Sequence, residues 1–160
     1  MNGIRFGENM LVRPLYSGLG ASADETAWID VSKAQWVTFL ITGQCDTATT
    51  FSVEASSASS TNASCENVAF WYRVSGAITT AGSGLGADTW SAITTADSAG
   101  AAYTTGAVLI DVDPSMLPVL NANFRYLHIQ FAAVGSYVAT PAWGVTAFLE
   151  PRNTNRTYTT

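Results

Sequence analysis

The chain is short of the side chains that perform chemistry. Its 160 residues include one histidine, His128, one lysine, Lys33, and two cysteines, Cys45 and Cys65. One histidine cannot build a histidine-based metal site. It could join a Ser–His–Asp triad, but no G-x-S-x-G motif leads into a helix. His128 falls at the polar position of an alternating strand and reads as a surface or interface histidine. Two cysteines are too few for a disulfide scaffold. They flank the segment around Phe51, so a bridge is geometrically open, but two reduced thiols are the expectation. Cys45 has no neighbouring His or basic residue in sequence to activate it.

Charge is equally scarce. Charged residues are 12% of the chain, about half the ~25% of an ordinary soluble domain. The net charge is −5, and the seven cations are scattered rather than clustered. Phosphate recognition needs clustered Lys and Arg, so nucleic acid is excluded as the expected partner. No apolar run reaches the ~18 residues of a membrane span. No polybasic or amphipathic anchor is visible, and Met1–Leu15 does not read as a secretory leader, so no membrane partner is expected.

Other candidate sites dissolve on inspection. Asp111 and Asp113 are two apart, which on a strand puts them on one face, as a calcium or glycosidase pair would need. Asp113, however, precedes Pro114 as a helix cap does, and Asp111 ends an apolar strand. Asp24, Glu25 and Asp30 lack the spacing of a calcium loop. Gly82–Gly86 lacks the Lys-Ser/Thr ending of a phosphate loop. No catalytic residue, metal ligand or cofactor is expected, and the chain reads as non-enzymatic.

What is present is strand chemistry. Apolar residues make up 48%, and 15 Ser and 20 Thr replace the missing charges. Hydroxyls cost less to desolvate than charges, so such a surface suits a protein covered by neighbours. Strands are expected at Trp28–Val31, Trp36–Ile41, Phe51–Ala55, Val68–Val74, Trp90–Thr94, Val108–Val112, Tyr126–Ala133 and Trp143–Leu149. A single helical turn, capped by Asp113 and ending by Pro118, separates the sixth from the seventh. Ala96–Gly106 reads as a loop of small residues. About eight short strands without a helical period predict an all-β fold: one β-sandwich or jelly roll over residues 24–150. Residues 1–23 read as an extended N-terminal arm and residues 151–160 as a tail. Five Trp in such a fold serve the core and subunit contacts, or a sugar-stacking platform.

The order of segments resembles the small head decoration, or cement, proteins of tailed bacteriophages. The carrying stretches are Ala34–Leu40, Phe70–Arg73, Ala87–Trp90, Leu109–Asp113, Phe124–Ile129 and Phe148–Arg152. None is a specific motif alone; the likeness lies in order and spacing. The resemblance implies a non-enzymatic virion protein on the outer capsid surface, assembled in the host cytoplasm. It implies the major capsid protein as partner and self-association, commonly as a homotrimer. Candidate interface residues are Ile4, Phe6, Met10, Leu11, Tyr16, Trp28, Trp90 and Tyr158, and the arm is expected to contact neighbouring subunits. The alternative is a tail- or connector-associated β-sandwich that binds carbohydrate or a receptor.

Overall fold

The computed structural model describes residues 10–19, 25–59, 65–74, 94–96, 101–131 and 142–152. They form nine strands: β1 (Leu11–Leu19), β2 (Ile29–Asp30), β3 (Ala34–Ser56), β4 (Cys65–Asn67), β5 (Phe70–Val74), β6 (Thr94–Ala96), β7 (Ala101–Val112), β8 (Tyr126–Phe131) and β9 (Ala142–Pro151). Every pairing is antiparallel. The fold is an all-β sandwich, as the sequence predicts.

β3 builds both layers. Its first half, Ala34–Gln44, lies between β9 and β7. The larger sheet therefore runs β1-β9-β3-β7-β5-β6. Between Gln44 and Thr49 the register against β7 jumps, and a bulge of this kind bends a strand and raises its twist. Beyond it, Phe51–Ser56 pairs with β8, and Glu54–Ser56 also pairs with β4. β2 closes the far edge of β8. The segments expected as two strands, Trp36–Ile41 and Phe51–Ala55, are thus two parts of one bent strand.

The core follows from period-two alternation. Val37, Phe39 and Ile41 of β3, Val108, Ile110 and Val112 of β7, and Val145, Ala147 and Leu149 of β9 are all buried. They face Phe51, Val53 and Ala55 on the far half of β3 and Leu127, Ile129 and Phe131 on β8, within one apolar cluster.

Three of the differences from the sequence reading shape the architecture. Residues 11–19 of the expected arm form an edge strand of this same domain. β1 pairs with β9 along its length, and Leu11 and Leu15 pack against the core. Without it the backbone groups of the β9 edge would be open. Pro14 is tolerated because an edge strand needs no donor on its solvent side, and the register shifts between Pro14 and Tyr16. Second, part of the expected loop 96–106 is the start of β7, since Ala101–Tyr103 pair with Phe51–Thr49. Ala101 and Ala102 have little side chain to signal a strand, but ladder hydrogen bonds need only backbone. Third, the helical turn outlasts Pro118. Asp113 caps it through Ser115 N at 2.8 Å with Pro114 in the first turn. The 3₁₀ turn Pro114–Met116 then continues into one α turn, α1 (Leu117–Leu120). Pro118 sits in the first turn of α1, where its missing N–H has no helical partner to lose.

Candidate functional site

Two features gather the polar and aromatic residues that the core does not use. The first is the outer face of the larger sheet. Inward Val37, Phe39 and Ile41 put Trp36, Thr38 and Leu40 on the other side of β3. The pairings Thr38–Asp111, Asp111–Trp71 and Thr38–Phe148 line these residues up across four strands. Trp36, Leu40, Trp71, Leu109 and Phe148 are only half-buried, and Val12 on neighbouring β1 is 43% exposed.

At the centre of this face Trp36 and Trp71 stack, with ring centroids 5.6 Å apart and planes 18° from parallel. Asp111 lies in register beside them. Its Oδ1 accepts from Trp36 Nε1 at 3.4 Å and from the Thr38 hydroxyl. One carboxylate thus fixes one indole, and that indole supports the other. The face offers a pre-set aromatic surface, edged by Glu150 in register with Trp36 and by Arg73 two residues from Trp71. Such a surface binds by stacking and desolvation rather than by ion pairing.

The second feature surrounds His128, and it corrects the expected surface histidine. The imidazole is 1% exposed. The chain entering β2 folds over β8: Thr26 N donates to Ile129 O at 3.0 Å, and Ile129 N donates back to the Thr26 hydroxyl at 3.0 Å. This brings Trp28 onto the imidazole, with centroids 3.8 Å apart and planes 12° from parallel. His128 Nε2 lies 3.1 Å from Glu54 Oε2, and Nδ1 lies 3.7 Å from Glu25 Oε2. The second distance exceeds hydrogen-bond reach, and neither His128 Nδ1 nor Trp28 Nε1 has a hydrogen-bond partner among the described residues. The histidine ties the entering segment to β3 and β8. Solvent does not reach it as it would a general base in an open cleft.

Cys65 of β4 carries its thiol beside this group. Burial pushes its pKa up first. The carboxylates of Glu54 and Glu25 add to the rise, as does the hydrogen bond to Glu54. The thiol form is favoured, and thiolate chemistry is suppressed. Glu54→Gln is expected to speed iodoacetamide labelling at Cys65 by about two- to fivefold near pH 8, since only part of the shift is relieved. Peptide mass spectrometry that resolves Cys65 from Cys45 checks this.

The expected interface residues divide unevenly. Leu11 and Met10 are half-buried, with Leu11 turned to the core. Tyr16 stands opposite Val145, and its side chain is outside the described residues. Trp28 is half-buried and stacks one face on His128. Ile4, Phe6, Trp90 and Tyr158 lie outside the described residues. The structure instead brings together Trp36, Trp71 and Asp111, which the sequence reading left out of the interface. The signal was available, because the alternation that buries Val37, Phe39 and Ile41 forces Trp36 outward.

No protein-family model matches the chain, and no curated protein does. Among solved structures, the crystal structure of the SPBc2 prophage-derived protein YomS aligns over 88% of this chain and 93% of that one, with 11% identity and a TM-score of 0.46. A likeness at this level is one of general outline and assigns no function.

Proposed function

We propose that this protein is a non-catalytic structural protein that acts by being covered in an assembly, and that the assembly is a phage head on which it serves as a decoration protein. The observation that carries the first half is the Trp36–Trp71 stack on the outer face of the larger sheet. A large aromatic pair, fixed by Asp111 and left half in water, has more area to bury than the monomer uses. The low charge of the whole chain agrees with it. The capsid and the homotrimer rest on the order and spacing of the six stretches named above.

Mass action describes how such a protein would work. A ligand that binds the assembled shell and not free subunits stabilises the shell by an amount that grows with the logarithm of its free concentration over its Kd. Labelled protein added to heads stripped of it should bind to saturation at a fixed copy number per shell. Absence of saturable binding would contradict the head assignment.

A second reading has one observation in its favour. Two indoles beside a carboxylate also suit a sugar ring, stacked on the aromatics and hydrogen-bonded to the acid. A glycan array separates the two: retention of one glycan class, with no binding to heads, would replace the head by a tail- or connector-associated receptor module.

A further inference from the structure

The end of the sandwich opposite in character to the Trp face holds a cavity of about 370 Å³. Its lining includes Val31, Pro114, Leu117 and Phe124, with Arg125 and Arg152. The first four are buried side chains that close the core. The adjoining α1 leaves Val119 86% and Leu120 42% exposed, so apolar area stands beside the cavity.

The two arginines are held in place by groups that do not neutralise them. Arg152 Nε donates to Ala34 O at 3.0 Å. Arg125 donates to the Tyr126 hydroxyl at 2.8 Å, and its guanidinium lies 4.9 Å from the Tyr126 ring centroid. Among the described residues, neither guanidinium is within ion-pair distance of a carboxylate. The nearby acids have other roles: Asp30 accepts from Ser32 N at 2.9 Å, and Asp113 accepts from Ser115 N at 2.8 Å. Lys33 belongs to the same end, since its carbonyl accepts from Arg152 N at 3.0 Å. Two of the seven cations of an acidic chain therefore line one cavity, beside Ser32 and Asn123.

Positioned guanidinium groups without an anion are the usual receptors for carboxylates, which they grip with two parallel hydrogen bonds. We infer that this cavity is a docking site for an acidic peptide segment of a protein partner, one that sets a carboxylate against Arg125 and Arg152 and an apolar side chain beside the exposed Val119 and Leu120 of α1. Nucleic acid fits less well. Two arginines on a chain of net charge −5 make no phosphate track. The site is distinct from the Trp face and goes beyond the head reading, because it holds for any protein assembly that the chain joins.

The test uses the full chain, labelled with ¹⁵N, and four probes: the peptide acetyl-Gly-Asp-Leu-Asp-Gly-amide, its Asp-to-Lys counterpart, its Leu-to-Ser counterpart, and inorganic phosphate. The Asp-Leu-Asp peptide should shift the amides of Ser32, Asn123, Arg125 and Arg152 saturably. Exchange of Leu for Ser should weaken it about fivefold, and the Lys peptide should shift nothing there. Arg125→Gln and Arg152→Gln should each weaken binding about tenfold. The glutamine amide keeps a donor near Ala34 O, and unchanged amide shifts elsewhere confirm the fold. Val119→Ser, at an exposed site with no packing to lose, should weaken it about twofold to threefold. No shifts with the acidic peptide, equal binding of the Lys peptide, or phosphate binding as tightly as the peptide would each overturn the inference.

Discussion

Phe51→Ala is expected to lower the unfolding free energy by about 3–5 kcal/mol, the usual loss for a fully buried phenylalanine. Phe51 is 0% exposed. It sits just past the register jump of β3, where the strand leaves one layer for the other. Its ring meets Phe131 edge to face, with centroids 5.3 Å apart, a contact worth about 0.5–1.5 kcal/mol beyond area alone. Its backbone is in register with Ala101 of β7 on one side and Phe131 of β8 on the other. A cavity at this point therefore loosens both sheets. Domains of this size have about 5–15 kcal/mol in all, so the variant should lose a large part of its stability. Urea unfolding checks it, and the two layers should still come apart in one transition. A loss under 1 kcal/mol, or two separate transitions, would mean that β3 does not join the layers as described.

The second large effect concerns binding rather than stability. The pair Trp36→Ser and Trp71→Ser should weaken attachment to the partner by at least about a hundredfold, because buried aromatic anchors dominate interface energies at about 2 kcal/mol or more each. The same double change should cost the free domain only about 1–2 kcal/mol, mainly the lost stacking and the Asp111 hydrogen bond. The indoles stand outside the core cluster, which is why the two effects separate. Thermal unfolding and a binding titration on the same preparation measure both. Equal losses in stability and binding would show that the pair is a structural prop and not an anchor.

Much of the architecture was legible because strand periodicity is local. Phe51, Val53 and Ala55 announce a buried face by themselves, and so do Leu127, Ile129 and Phe131. Asp113-Pro114 announces a helical start, since the cap and the fixed proline φ are properties of adjacent residues. What was not legible depends on pairing across the chain. β1 looks like a loose arm because Pro14 and Gly18 weaken any isolated strand. Only the open edge of β9 turns it into one. The start of β7 is a run of small residues whose structure comes from backbone bonds to β3. That β3 is one strand and not two cannot be read from the residues on either side of the bend.

The candidate sites follow the same division. Alternation places His128 on the polar side of β8, and a polar residue on the second face of a strand is ordinarily wet. Its burial comes from Thr26 and Trp28, a hundred residues earlier in sequence, folding across the strand. Trp36 and Trp71 each looked like core or contact aromatics. Their meeting over Asp111 needs three strands in register, which composition cannot supply. The arginine pair is the same case: scattered in sequence at positions 125 and 152, joined in space by the pairing of Val31 N with Arg125 O and Arg152 N with Lys33 O.

The arm also changes meaning. Removal of Met1–Leu15 takes away half of β1, including Leu11 and Leu15, so it should destabilise the domain as well as any attachment. A truncation is therefore a poor test of whether these residues touch a neighbour, and point changes on the Trp face are the better instrument.

The central claim is that the outer face of the larger sheet exists to be covered. Cryo-electron microscopy of the intact particle from which the protein comes tests it most directly. The account predicts a neighbouring subunit packed over Trp36, Trp71 and Phe148, with the two indoles removed from solvent. A reconstruction in which the protein is present and that face is open to solvent would contradict it.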